Sequence, residues 1–285
     1  MTYTRRKRVV PRPFLKWVGG KGQLLGPLIE LVDRAGDFGR YHEPFVGGGA
    51  LFFELVRTNR LRKNGKQAYL SDNNERLINA YRCVQQDVNQ VIAHLRRHRD
   101  LHSEDYYYDV RDAVPDDLFE RAARIIYLNK TCYNGLFREN SRGIFNVPFG
   151  RYKNPAICDE VNLSAAATAL TRAKMSVRSF ESVVDHTQPG DLVYFDPPYH
   201  PLSKTASFTA YDRGGFGSEQ QKRLAEVARA LHAKGVKFVL SNSMTDFIRE
   251  LYDSDFTVAS VDATRAVNSR ADRRGKIAEA LVRNF

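Results

Sequence analysis

The sequence predicts an α/β fold built on an open, mostly parallel sheet, and three observations carry that expectation. Short strand-like runs alternate with helix-like ones at both ends of the 285-residue chain, as βα units do. Through the middle, apolar residues recur at spacings of three and four, the period of helices with one buried face. After Leu128 that period breaks into "NKTCYNGLFRENSRGIFNVPFGRYKNP". This stretch reads as turns and a hairpin, standing on helices inserted between two halves of the sheet.

Taken in order, the chain opens with "TRRKRVVPRPFLK", six cations and no anion, which reads as a solvated arm, disordered over residues 1–12. "YHEPFV" reads as a strand before the helix "ALFFELVR", and "AYLSD" as a strand before a long helical pattern. That pattern, Leu77, Ile78, Tyr81, Val84, Val88, Val91 and Ile92 with Leu95 next in register, predicts one continuous helix from Glu75 to His94. "LFERAARIIYLN" predicts another. "SEQQ" predicts a helix opening at Ser218, with a hydroxyl cap and a glutamine three residues on. "DLVYFD", "VKFVLS" and "FTVASV" complete the strands.

A formal net charge of +11 favours a polyanionic partner, nucleic acid first, although many basic enzymes bind only small molecules. Cys83, Cys132 and Cys158 have no CxxC spacing, so neither zinc nor a disulfide framework is suggested and a reducing interior is the default. No apolar run is long enough to span a bilayer, and the basic N-terminus lacks a following signal core. The expectation is a cytoplasmic protein, nucleoid-associated if cellular.

Two glycine clusters, "KWVGGKG" and "EPFVGGGA", precede helix-like segments. The second follows a strand, where a backbone can approach a nucleotide-like ligand. A tight turn permitting close helix packing explains it equally. Asp72, closing the second strand, could accept hydrogen bonds from ribose hydroxyls or cap the next helix.

The sharpest signal is "YFDPPYHPLS". Its prolines fix their own φ and offer no N–H, which leaves a rigid acceptor edge of the Asp196 carboxylate and a proline carbonyl. Tyr199 adds a face on which a planar ring could stack. Such an edge suits an exocyclic amine presenting two hydrogens. The alternative is a strand ending in a plain Pro-Pro turn.

"DPPY", with "FLKWVGGK", "EPFVGGG", "YNGLFREN", "RGIFNVPFGRYKNP" and "DPPYHPLSKTASFTAY", resembles the GATC-specific DNA adenine-N6 methyltransferases (Dam and DpnM type, D12 class), an alpha-group amino-methyltransferase family. The likeness runs from about Pro13 to about Leu240. It implies a Rossmann-like S-adenosylmethionine-dependent methyltransferase sheet over 13–72 and 160–285, with an inserted helical and hairpin target-recognition domain over 73–159.

By that resemblance Asp196, Pro197, Pro198 and Tyr199 are catalytic. Trp17, Lys21, Phe45, Gly47, Asp72, Phe180 and Asp196 line the S-adenosylmethionine pocket. Arg138 reads an outer guanine, Lys16 the guanine before the target, and Leu136 with Pro148 the thymine methyl. Tyr133 and Asn134 wedge beside the vacated base, and Arg151, Tyr152 and Lys153 make further DNA contacts. Without the resemblance, Tyr133 and Leu136 read as hairpin core, and Arg151 and Lys153 as a solvated strand edge.

The implied activity is methyl transfer to N6 of a flipped-out adenine in duplex DNA, with no metal, by a monomer, solitary or in a restriction-modification pair. "KTASFTAYDRGGFGSEQ" reads as a mobile loop closing over the target. A cytosine-N4 methyltransferase, an adenine enzyme for another site and a non-catalytic DNA-binding relative are the alternatives; a nicotinamide oxidoreductase lacks its glycine pattern.

Overall fold

The computed structural model describes residues 9–17, 21–22, 24–61, 67–140, 142–201, 216–264 and 276–285. The basic arm up to Arg8 and residues 204–215 of the segment expected to close over the target lie outside these residues. Contacts divide the chain into two compact units: residues 1–20, 47–63 and 74–173, and residues 21–46, 64–73 and 174–285.

The second unit carries the seven-stranded sheet, of order β3-β2-β1-β4-β5-β7-β6. Its strands are β1 (Tyr41–Glu43), β2 (Ala68–Asp72), β3 (Ala173–Val177), β4 (Leu192–Phe195), β5 (Lys237–Ser243), β6 (Thr257–Thr264) and β7 (Lys276–Arg283). β1 pairs in parallel with β2 and β4, and β4 with β5, while β7 lies antiparallel between β5 and β6. All four residues of β4 are buried, as a central strand covered on both faces requires. Phe195, Phe238 and Leu240 pack against Leu224, Ala228 and Leu231 of the helix Ser218–Ala233 and against Ile248 and Tyr252 of the helix Asp246–Tyr252. The sheet follows the expected class; β3 and the antiparallel β7 were not anticipated.

The first unit holds α2 (Ala50–Arg57), α3 (Glu75–Gln86), α4 (Val88–Asp100), α5 (Glu104–Asp112), α6 (Leu118–Thr131) and α7 (Glu160–Leu170), α1 (Leu25–Ala35) belonging to the sheet unit. Short polar caps start most of these helices. Asn74, Asp87, Ser103, Asp117 and Asp159 each accept a backbone N–H from the first turn of the helix that follows.

Asp87 corrects the expectation of one helix from Glu75 to His94. Its φ of −152° leaves the helical region and its carboxylate caps α4, so two helices share one apolar register. A second correction concerns "SEQQ": the cap residue is Gly217, whose N–H donates to Gln220 Oε1 at 3.0 Å, and Ser218 is already helical. By contact, α2 and α7 fall with the helices, whereas the sequence boundaries grouped both with the sheet. Arg12, expected in the arm, is anchored: its N–H donates to Asn162 Oδ1 and its carbonyl accepts from Asn162 Nδ2.

Candidate active site

Three of the sheet's parallel strands end in residues singled out from the sequence. Ligands of open α/β sheets bind beyond these carboxyl ends. β2 ends in Asp72, half-exposed, whose carbonyl accepts from Arg178 N. Asn74, not Asp72, caps α3. Beyond β1, the ring of Phe45 stacks on Phe180 at 5.3 Å and 24°, with Phe216 edge-on to Phe45 and tilted against Phe180. The two rings touch face to face, so a third ring would lie against them and not between them.

Asp196 follows the last residue of β4. Its Oδ1 accepts from Lys21 Nζ at 2.7 Å and from Ser241 Oγ at 3.0 Å, and Tyr194 Oη lies 3.1 Å from that same serine oxygen. Lys21 is 6% exposed and also donates to Tyr199 Oη at 2.7 Å, which in turn donates to Glu279 Oε2 at 2.7 Å. Lys21 therefore meets the Asp196 carboxyl directly and the Glu279 carboxyl through a phenol. Burial pushes the Asp196 carboxyl above the usual carboxylate range; Lys21 and Ser241 oppose the shift, and Glu279 adds to it. Burial likewise pushes the Tyr199 phenol up, which keeps it a neutral donor. Among the described residues, the bonds to Asp196 fall on Oδ1, which leaves Oδ2 as a free acceptor.

The two prolines differ. Pro197 is buried; Pro198 is exposed, yet its carbonyl accepts from Gln221 Nε2 at 2.9 Å. Ser241, Glu279, Gln221 and Asn242 were all missed from the sequence. The polar run "SNS" ending an apolar strand was the available signal. Glu279 had none, because β7 itself was not recognised.

In the first unit, Gly47 and Gly49 of the second glycine cluster take φ of +45° and +66°. A Cβ at Gly47 would lie 2.8 Å from Trp17 Cδ1, and one at Gly49 2.8 Å from Tyr81 Oη. At both positions glycine is required by protein packing, the plainer of the two readings. Trp17 stacks on Phe137 at 5.1 Å.

The residues expected to read DNA gather around the irregular segment. It forms a hairpin, bridged at Cys132↔Phe149 and Glu139↔Phe145. Asn129 on α6, 1% exposed, accepts Lys16 N and donates to the carbonyls of Lys16 and Gly135, tying the Lys16 backbone to the turn Tyr133–Gly135. Lys16 Nζ lies 4.5 Å from the centre of the Tyr152 ring. Tyr133 is 50% exposed, so it is not hairpin core, and Asn134 is exposed at φ +55°. Leu136 is half-buried; Pro148, Arg151 and Lys153 are exposed. Arg138 is occupied by its neighbour, Nε donating to Asn146 Oδ1 at 2.8 Å and Nη2 to Asn146 O at 3.0 Å.

Comparison with known proteins agrees with this chemistry. Residues 17–267 match the D12 class N6 adenine-specific DNA methyltransferases. A type II methyltransferase of Lactococcus lactis subsp. cremoris, M1.LlaDCHI, is 41% identical over all of this chain and 99% of its own. A type II methyltransferase of Methanocaldococcus jannaschii, M.MjaIII, is 42% identical over 96% of this chain and 99% of its own. The DNA adenine methylase of Escherichia coli K12 is 36% identical over 95% and 94% respectively.

Membership of this family implies S-adenosylmethionine as methyl donor and DNA as substrate. The side chains at the strand ends suit that donor: a carboxylate acceptor at Asp72, aromatic rings at Phe45 and Phe180, and an anionic Asp196 for a positively charged group. No helix among the described residues is long and apolar enough to cross a membrane. Fold, site chemistry and relatives converge: the chain belongs to the D12 class of N6-adenine-specific DNA methyltransferases, an enzyme on a Rossmann-like methyltransferase sheet.

Proposed function

We propose that this enzyme methylates N6 of adenine in the duplex sequence GATC, and that the target base leaves the helix to be modified. The observation that carries the proposal is the half-satisfied Asp196, held at Oδ1 by Lys21 and Ser241 with Oδ2 open, beside a buried proline.

An adenine amine is a poor nucleophile because its lone pair is delocalised into the ring. Asp196 Oδ2 and the Pro197 carbonyl accept its two hydrogens, turn the lone pair toward the methyl group and stabilise the charge that develops on nitrogen. S-adenosylmethionine supplies that methyl on a positively charged sulfur. Lys21 keeps Asp196 ionised and fixed, and the Tyr199 ring, pinned by Lys21 and Glu279, offers the stacking face. Asp72 accepts the ribose hydroxyls of the donor, and Phe45 with Phe180 packs against its base. Trp17 and Gly47 are assigned to the donor on the family resemblance.

Positioning is the main task of such a site, since a misplacement of about 1 Å costs on the order of a hundredfold in rate. A base stacked in a duplex cannot reach an acceptor edge of this kind, hence the extrusion. Residues 73–159 are assigned to target recognition. Arg138 exchanges Asn146 for guanine O6 and N7, Lys16 reads the guanine before the target, and Leu136 with Pro148 meets the thymine methyl. Tyr133 and Asn134 fill the space of the vacated base, and Arg151, Tyr152 and Lys153 contact phosphates.

The test is to express the chain in a methylation-deficient strain and digest the DNA with nucleases that differ in their sensitivity to methylated GATC. Protection from the sensitive nuclease alone is expected. Cleavage by both would contradict the site assignment.

A further inference from the structure

Two primary amides behind the proline turn have no part in the scheme above. Gln221, in the first turn of the helix Ser218–Ala233, and Asn242, on β5, are both 0% exposed. A buried amide is costly unless its groups are bonded, and these two are bonded to each other and to the turn. His200 N donates to Asn242 Oδ1 at 2.9 Å, and Asn242 Nδ2 donates to Gln221 Oε1 at 3.0 Å. Gln221 Nε2 then donates to the Pro198 carbonyl at 2.9 Å.

The polarity of this chain is forced. A backbone N–H at one end can only donate and a proline carbonyl at the other can only accept, so each amide has one orientation that satisfies all three bonds. The relay grips the backbone on both sides of Tyr199. Ser243 extends the grip, its hydroxyl donating to the His200 carbonyl.

We propose that Gln221 and Asn242 are positioning residues for methyl transfer: by holding the Pro198 carbonyl and the His200 amide inward, they select the Pro197 carbonyl as the one that faces substrate. The inference rests on the reading that Asp196 and the Pro197 carbonyl take the two N6 hydrogens. Two proline carbonyls lie in succession in this turn, and a peptide rotation would exchange which of them is available. Gln221 prevents that exchange at the cost of one buried bond. Asn242 prevents Gln221 from turning its own carbonyl toward Pro198.

The experiment measures single-turnover methyl transfer from radiolabelled S-adenosylmethionine to a GATC duplex, with separate affinities for donor and DNA and a melting temperature for each variant. Gln221→Met keeps the length of the side chain and removes both polar groups. It is expected to slow transfer about 30- to 100-fold, while each affinity changes by less than about threefold. Asn242→Asp keeps the acceptor for His200 and removes the donor to Gln221; it should slow transfer in the same way and serves if Gln221→Met does not fold. Combined, the two changes should cost little more than either alone, because the residues act as one unit.

Transfer within about threefold of wild type by both folded variants, or a rate loss matched by an equal loss of donor or DNA affinity, would overturn the inference. Asp196→Ala in the same assay separates the levels. If it is inactive while Gln221→Met is unimpaired, only the relay's role fails; if it transfers normally, the reading beneath it fails too.

Discussion

Asp191 and Asp196 flank the same buried strand and have opposite surroundings. Asp191, 0% exposed, accepts from Arg40 Nε and Nη2, from the backbone N–H of Arg40 and Gln188, and meets His42 Nε2 at 3.1 Å. Burial alone would push its carboxyl up, but the bonds from His42 and Arg40 outweigh it and hold the group well below the usual range. Asp196 has two donors on one oxygen, and burial wins. The strand thus carries one saturated carboxylate at its start, which locks structure, and one unsaturated carboxylate at its end, which can accept more. Coordination, and not residue type, separates an anchor from a working group.

Crossed substitutions test that contrast. Asp196→Ala should lower single-turnover transfer on the order of a thousandfold or more with DNA affinity unchanged, as read by filter binding. Asp191→Ala should leave transfer per folded molecule intact and cost about 3–5 kcal/mol of stability in denaturant melts, because Arg40 is left without its partner. The pH dependence has a definite sign. A carboxyl depressed on folding contributes stability that is complete above its unfolded value of about 3.9 and is lost as the pH falls through the lower folded value. Wild type should therefore lose stability on acidification below about pH 4, and Asp191→Asn should lose less.

Lys21→Met sharpens the comparison at the other end. Without the cation, the Asp196 carboxyl rises further, so the acid limb of the rate profile should move to higher pH and the plateau rate should fall about a hundredfold. The smallest effect belongs to the other unit. Arg138→Ala should relax preference at one outer base pair by about 1–3 kcal/mol, measured by competition between duplexes differing at that pair, and leave transfer to the remaining sites intact.

Much of this was legible because its causes are local. The run "DLVYFD", short, apolar and ended by prolines, reads as a buried strand, and Pro197 and Pro198 stiffen whatever follows. Asp196 and Tyr199 share one short turn; Lys21, far from both in sequence, was joined to them by family resemblance, and the fold brings its side chain into direct contact with each. The helix break at Asp87 was hidden because both helices keep one apolar register, while the departure is made by a single capping side chain.

Gln221 was misread for a related reason. "SEQQ" offers two glutamines, of which Gln220 satisfies the helix start and Gln221 turns inward to a partner on a strand. No local pattern distinguishes them. Glu279 depends on β7, whose antiparallel place between β5 and β6 is a property of the whole sheet.

The central claim is that Asp196 and its proline-braced turn hold an adenine by its exocyclic nitrogen. It is tested most directly by allowing purified enzyme one turnover with methyl-labelled S-adenosylmethionine on a GATC duplex, then hydrolysing the DNA to nucleosides and identifying the labelled one by mass spectrometry. The account predicts label in N6-methyl-2′-deoxyadenosine alone; label on cytosine, or on no base, would contradict it.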